Sequence, residues 1–473
     1  MNWQEIVKQN NLNVSIITLK QLNLATRIDA EHYQAHFLEI IDIVKKKNNK
    51  RLAELVTKPI TTGHTPSMQD ESYYGGDTKF IKTDNLRDNI ITEDFNHYLS
   101  DKGALKLKNA LLQPDDVIVT IIGANYSVVG RVARVFVDLG KSAINQNISL
   151  IRPKIKSGYL TTFLTGKYGK QQLYYLSRQT EQVNLNNVEV ADVIVPIPSN
   201  DFEEKIHNIH TETHNLQLQA KSLYSQAEAL LLSELGLFDY IPNEANTSIR
   251  DLFECLQDDR FDAEYWMPKY DEMQKRVASV TQGKLEQIVH HKKGVEVGSD
   301  AYQEEGEDFI RVSDFNIFGI EGVEKKISEE LYENLKKNYQ PKKGEVLFTK
   351  DGTIGLSYAV DEDIKGILSG AFLRLQPKTN INVHYLALVL NSLYCKYQIE
   401  RMSGGAIIAH LKPDSAMKIN IPILAQTKQD ELGDMVIQSL QKRKEAKDLL
   451  DKAKRAVELF IEEDEETALR LLR

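Results

Sequence analysis

One block of sequence occurs twice in this chain, in the same order and at nearly the same spacing. That duplication restricts the possible folds more than any other feature. Arg27-Ile28-Asp29-Ala30-Glu31-His32-Tyr33 returns as Arg260-Phe261-Asp262-Ala263-Glu264-Tyr265-Trp266. Phe80-Ile81-Lys82 returns as Phe309-Ile310-Arg311, and Asp116-Val117-Ile118-Val119-Thr120, followed by Gly123, as Glu345-Val346-Leu347-Phe348-Thr349, followed by Gly352. Ile151-Arg152-Pro153-Lys154 matches Leu375-Gln376-Pro377-Lys378, and Val195-Pro196-Ile197 matches Ile421-Pro422-Ile423. The offset drifts only between about 224 and 233 residues. Chance recurrence of short motifs does not keep order and spacing. A period this long exceeds a solenoid unit and implies two whole domains.

Each copy changes texture in the same order. A short amphipathic segment leads into a mixed region with β-rich runs such as Val117–Ile122 and turns such as Gly123-Ala124-Asn125-Tyr126. A proline-bearing strand follows, and then a long helix. In the first helix Ile206, Ile209, Thr213, Leu216, Ala220, Leu223, Ala227 and Leu230 alternate in steps of three and four, which is a heptad seam. Asp201 is expected as its N-cap with Glu204 as the capping-box partner, and Gly236 as its stop. With about 33 residues at ~1.5 Å rise it would extend about 50 Å. The second copy carries Ala446, Leu449 and Ala453 at matching places, with Lys442 interrupting the seam. The small seam residues permit close approach, so the two helices are expected to pair antiparallel; the alternative is that each packs separately on its own domain.

No catalytic motif is complete in this sequence. Gly140-Lys141-Ser142 resembles the end of a phosphate-binding loop, but position 135 is Val where the upstream glycine is required. No G-x-G-x-x-G occurs, and no Pro-Pro dipeptide of the kind an adenine methyltransferase uses to grip a flipped base. Glu203 and Glu204 fall at the start of the long helix, far from Asp115, and are better explained by capping and solvation. His290-His291 are adjacent and do not point at one metal. The chain is therefore expected to be non-catalytic and to bind no cofactor itself. Two cysteines, Cys255 and Cys395, argue against a disulfide framework and fit a reducing cytoplasm. The polar N-terminus lacks the apolar core of a signal peptide, and no apolar run approaches the ~18–20 residues of a membrane span. The net charge of −9 excludes a uniformly basic DNA glove, but the acid is unevenly spread, and the stretch after Glu458 is strongly acidic (Glu462, Glu463, Asp464, Glu465, Glu466).

The loops offer recognition chemistry instead. Side-chain amides, which bond adenine edges in the major groove, are concentrated at Asn145-Gln146-Asn147 and at Asn184, Asn186 and Asn187. Lys82, Asn85, Arg87, Asn125, Arg131 and Arg178 accompany them. The second copy places Arg311, Asn316, Lys350, Arg401, His410 and Lys412 in comparable regions. The copies keep their apolar framework and differ in these polar loops, as two similar scaffolds reading different bases would. Taken singly, many of these residues are ordinary turn formers.

At these residues the chain resembles the specificity subunits of type I restriction–modification systems. Arg260–Tyr270 resembles the lead-in to a target-recognition domain. Thr62-Gly63-His64-Thr65-Pro66-Ser67 resembles the family's Gly-x-Thr-Pro-Ser turn, from which the second copy departs with Gly298-Ser299. Ile144–Asn147 resembles its Asn-Gln loop, with Ser369-Gly370-Ala371-Phe372 in the second copy. Val183-Asn184-Leu185 and His410-Leu411-Lys412 resemble the exits toward the long helices. The resemblance implies an α+β fold: two pseudo-repeated α/β target-recognition domains separated by two long antiparallel coiled-coil helices. The implied boundaries are an N-terminal segment 1–27, recognition domains 28–200 and 261–425, spacer helices 201–236 and 426–463, a linker 237–260 and an acidic tail 464–473. It further implies double-stranded DNA as ligand, each domain reading half of an asymmetric bipartite site. Two modification subunits would dock on the spacer seam (Ile206, Ile209, Leu216, Ala220, Leu223, Ala227, Leu230, Ala446, Leu449, Ala453), and restriction subunits would join them in host defence. S-adenosylmethionine, ATP and magnesium would belong to those partners. A competing expectation is a coiled-coil adaptor that binds no DNA, which the acidic balance favours.

Overall fold

The computed structural model describes residues 17, 30–125, 127–179, 183–245, 247–403 and 410–473. Apart from residue 17, the N-terminal segment 1–27 lies outside them, as do Ile28 and Asp29 of the first lead-in and Tyr126 of the first turn. The chain divides into two units, 1–215 with 445–473, and 216–444.

In the first unit the core sheet is antiparallel, with strands in the order Thr61–Thr62, Ile148–Ile151, Val117–Thr120, Val132–Arg134. Val117–Thr120 is a β-branched run buried at every position, as a strand covered on both faces should be. Beside it, Ser142–Ile144 pairs in parallel with Tyr74–Ile81, which pairs antiparallel with Tyr98–Leu99. The second unit repeats both sheets. One runs Val289–Lys293, Phe372–Pro377, Val346–Thr349, Ser357–Ala359; the other runs Lys326–Ile327, Glu307–Ile310, Ile367–Leu368, its last pair parallel. Mixed helix and strand content, repeated, is the α+β class expected.

The copies also repeat their polar anchors. The proline-bearing strands Ile194–Pro196 and Asn420–Pro422 are short, because proline supplies no N–H. Side chains secure them: Tyr159 Oη donates to the Pro196 carbonyl at 2.7 Å, and Tyr385 Oη to that of Pro422 at 2.9 Å. The Gln172 amide brackets Ile194, accepting from its N–H at 2.8 Å and donating to its carbonyl at 2.9 Å. Gln398 does the same to Asn420 at 2.8 and 3.0 Å. Asp116 accepts from Arg152 at 2.7 and 2.8 Å, and Glu345 from Arg374 at 2.8 and 2.6 Å.

The long helices span Asn200–Glu234 and Gln426–Glu462. The first begins one residue earlier than expected, so its cap is not Asp201. Ser199 Oγ accepts from the Phe202 N–H at 3.3 Å, while Glu203 and Glu204 turn to Lys156. At the other end Gly236, at φ 69°, closes the helix: Leu237 N–H bonds the Leu232 carbonyl at 2.7 Å and Gly236 N–H that of Ser233 at 3.0 Å. Within the first unit the two helices run antiparallel, Phe202 packing on Phe460 at 5.4 Å and Ser199 N–H meeting Glu465 at 2.9 Å. Within the second unit they do so again, Ser439 Oγ donating to the Ala220 carbonyl at 2.7 Å and Lys428 reaching Glu234 at 3.3 Å.

The strict heptad seam needs correcting. Ile206, Thr213, Leu216, Ala220 and Ala227 are buried as expected, but Ile209, Leu223 and Leu230 lie at the margin, and Phe202, His210, Tyr224 and Leu231 are buried instead. Nine buried positions from Phe202 to Leu231 span 29 residues in eight steps, about 3.6 each. That is the period of a straight helix whose stripe is shared between a partner helix and a globular core, rather than 3.5. In the second helix Ala446 and Ala453 are buried and Leu449 half-buried. At the polar break Lys442 is half-buried, and so is Arg443 beside it, which pairs with Glu321 at 3.0 Å and lies over the Phe318 ring at 4.4 Å.

Two further segments differ from expectation. The acidic end is no loose tail: Glu465–Leu471 is a helix capped by Asp464, with Ala468 buried in the first unit's core. The linker carries a helix, Leu252–Asp258, and exposes Ile249, Leu252, Phe253 and Leu256.

Candidate nucleic-acid interface

Three backbone hydrogen bonds occur at equivalent places in both units and build the same loop frame. Asn145 N–H donates to the Ile81 carbonyl at 3.1 Å, as Ser369 N–H does to that of Ile310 at 2.9 Å. Ile121 N–H reaches the Asn147 carbonyl at 2.9 Å, and Lys350 N–H that of Ala371 at 2.8 Å. Leu185 N–H reaches the Ile121 carbonyl at 2.8 Å, and Leu411 N–H that of Lys350 at 2.9 Å. Gln146 is thereby equivalent to Gly370, Ile122 to Asp351, Asn184 to His410 and Asn186 to Lys412.

Strand register fixes one more equivalence. Thr62 faces Ser149 and Lys293 faces Leu373, so Gly63 corresponds to Gly294. A Cβ on Gly63 would collide with the Ile144 carbonyl, and one on Gly294 with that of Ser369, so only glycine lets the strand end cross the loop so closely. The sequence expectation that the second copy departs at Gly298-Ser299 is corrected accordingly. The glycine is kept as Gly294, and Thr65 is replaced by Glu296.

In the first unit this frame surrounds a cleft of about 480 Å³, with Ile121, Ile122 and Leu185 as apolar lining and Thr62, Gln146, Arg178, Asn184, Asn186 and Asn187 as polar lining. Thr65 Oγ1 donates to Gln146 Oε1 and so orients its exposed amide. Asn186 caps the helix Asn187–Ala191, whose Glu189 accepts from Arg178 Nε at 2.8 Å. Asn187 accepts from Ser149 Oγ at 2.6 Å. Around the equivalent surface of the second unit, Asp351 bonds both Lys350 and His410, Lys412 is exposed, and the Glu296 side chain lies against Gly370. The first copy surrounds its cleft with amides beside the Arg178–Glu189 pair, and the second places the charges of Glu296, Asp351 and Lys412, with His410, at the equivalent surface.

The candidate residues divide between this site and the scaffold. Gln146, Asn147, Arg178, His410 and Lys412 stand at or beside the loop frame with exposed or half-exposed side chains. Asn145 is buried, its Oδ1 accepting from the Asn147 N–H at 3.1 Å, a bond that shapes the loop. Asn85 is likewise buried, its amide bonded to the Lys82 N–H and the Asp94 carbonyl. Lys350 is buried beneath Asp351. Arg401 pairs with Asp271 at 3.1 Å and lies 4.4 Å from the Tyr265 ring, holding the lead-in motif in place. These four side chains are engaged within their own units. Asn125 and Asn316 fold back on their own turns, accepting from the Ser127 and Phe318 N–H groups. Arg87 donates to the Asp84 and Leu86 carbonyls, Arg131 to those of Ser127 and Leu86, and Arg311 pairs with Asp314 and Glu324. Lys82 is half-exposed above the Phe80 ring. Sequence reasoning passed over Glu296 and Asp351; aligning Gly294 with Gly63 would have found the first.

The family described as type I restriction modification DNA specificity domain matches twice, over residues 44–229 and 279–438. The chain belongs to that family. Among solved structures, a type I restriction–modification S subunit from M. genitalium is 14% identical, covering 88% of this chain and 95% of its own at a TM-score of 0.38. The HsdS subunit from Thermoanaerobacter tengcongensis is 15% identical, covering 88% and 97% at a TM-score of 0.29. No curated protein matches the chain. In this type I specificity-domain protein, no helix is long and apolar enough to cross a membrane, and no cluster of metal-binding side chains is present, both among the described residues.

Proposed function

We propose that this chain is the DNA-reading subunit of a type I restriction–modification complex, each domain recognising one half of a bipartite duplex site. The observation that carries this reading is the repeated loop frame with unlike polar rims: one backbone design, built twice, with Gln146, Asn184 and Asn186 in one copy where Gly370, His410 and Lys412 stand in the other. Base edges are distinguished by such donor and acceptor patterns, whereas phosphates are not. The long helices supply a paired surface on which two modification subunits dock, with restriction subunits joining them. Adenine methylation, with S-adenosylmethionine, and ATP- and magnesium-dependent cleavage fall to those partners, and this chain directs them. The test is to exchange residues 28–200 for the same domain of a relative with a different site and map methylated adenines in cells carrying the complete system. One half-site should change and the other stay. A change in both, or in neither, would overturn the reading.

A further inference from the structure

The two loop frames differ most sharply at one point. At the position where the first unit has Gln146, the second has Gly370, and the vacated space is taken by a side chain from the neighbouring strand end. A Cβ on Gly370 would meet Glu296, whose Cδ lies 3.0 Å and Cγ 3.1 Å from it. The glycine is what lets that carboxylate lie across the loop. Glu296 is exposed, and among the described residues its carboxylate has neither an ion pair nor a hydrogen bond, although Lys292 and Lys293 sit exposed on the adjoining strand Val289–Lys293. Gln146 is equally exposed, with its amide oriented by Thr65. Matching backbone frames thus present an amide in one unit and a carboxylate in the other.

We infer that Gln146 and Glu296 are the positions at which the two domains select different base pairs. Gln146 takes an A·T pair through adenine, and Glu296 a C·G pair through cytosine. This rests on the DNA-reading function proposed above. An amide offers a donor and an acceptor side by side, matching adenine's N7 acceptor and N6 amine in the major groove. With Thr65 occupying part of Oε1, Nε2 is left to donate and one Oε1 lone pair to accept. A carboxylate only accepts. Against adenine it would meet the N7 lone pair, and against guanine two acceptors. Cytosine carries only its N4 amine donor in the major groove and no acceptor of its own, and that is the edge a carboxylate fits. The exposed lysines beside Glu296 are suited to neighbouring phosphates, which offsets the cost of bringing a carboxylate to DNA.

The experiment uses the full chain co-purified with the modification subunits of its own system, a library of randomised duplexes, and sequencing of bound fragments. Gln146→Glu should move one position of the first half-site from A·T to C·G by about ten-fold or more and leave the second half-site alone. Glu296→Gln should move one position of the second half-site the opposite way. Thr65→Val, which releases the Gln146 amide without altering it, should blunt discrimination at that same position while keeping the preferred base. If Gln146→Glu and Glu296→Gln bind as folded complexes and keep every base preference, or weaken all sequences alike, the assignment is wrong. A domain exchange that changes one half-site while these variants change none would sink this inference and leave the DNA-reading function standing. An exchange that changes neither would sink both.

Discussion

The two loop frames share their main-chain hydrogen bonds and almost none of their rim chemistry. Gln146, Asn184 and Asn186 in the first unit stand where Gly370, His410 and Lys412 stand in the second, yet the N–H groups of Asn145 and Ser369 find the same strand carbonyl within 0.2 Å of each other in length (3.1 and 2.9 Å). The frame is held by backbone groups and buried apolar strands, which do not depend on what the rim displays. Rim residues can therefore be replaced at little cost in stability, as the proposed reading of a different half-site by each domain requires. The contrast extends into the scaffold, where each unit has its own weak and strong points.

The largest expected difference concerns the buried carboxylates. Glu345 and Arg374 are both nearly fully buried, whereas Asp116 is buried but the side chain of Arg152 is about a fifth exposed. Replacing Arg374 with Ala leaves Glu345 charged and unpaired in the core and should cost about 3–5 kcal/mol. Arg152→Ala opens a path for water to Asp116 and should cost distinctly less. Denaturant unfolding of both variants checks this, and equal losses would mean the two pairs are equivalent.

A middle-sized difference is acid sensitivity. His210 in the first unit is buried against Asn89 and Phe136, and burial, with Arg134, His207, His214 and Lys454 adding repulsion, pushes its pKa down to about 3. Val436 occupies the matching turn of the second helix. The sign follows from proton uptake. Below about pH 6.5 the unfolded chain protonates this histidine and the folded one does not, so stability falls as pH falls. At pH 5 the loss amounts to roughly 2 kcal/mol. His210→Val should flatten the dependence of thermal unfolding on pH between 6.5 and 5. An unchanged slope would show that other groups control it.

The smallest difference lies at the helix starts. Ser199 caps the first long helix and bonds Glu465, while Ala425 holds the same place before the second. Ser199→Ala should cost about 1 kcal/mol, and Ala425→Ser should gain up to about as much. Paired melting curves of the two variants, moving in opposite directions, would confirm that the helix starts are interchangeable.

The duplication, the strands around Val117 and Val346, and both long helices to within two residues were legible in the sequence, because they rest on order, β-branched runs and apolar periodicity. The heptad register was only partly legible. His210 and Tyr224 are buried by globular cores that a two-helix pattern does not include. At the candidate site, exposure could not be read from residue type. Asn145 and Gln146 are neighbours, one turned inward and one outward, and that alternation is set by the Asn145 N–H bond to Ile81 across 64 residues of chain. Glu296 was obscured by a misplaced glycine, since only strand register distinguishes Gly294 from Gly298 as the partner of Gly63.

The division of the long helices between the units has a consequence for biogenesis. Residues 216–444 are contiguous, whereas the first unit's core contains Ala453, Ala456, Val457 and Phe460 beside Phe202 and Ile206. A ribosome emits the second unit whole before it emits the last pieces of the first. The part of the protein made earliest must therefore wait through the synthesis of more than two hundred residues, its helix stripe uncovered, until the C-terminal helix emerges to complete it. Nascent-chain chaperones would meet this protein at its beginning, not at its end, and a message truncated after Lys444 would yield one finished domain and one arrested half-built.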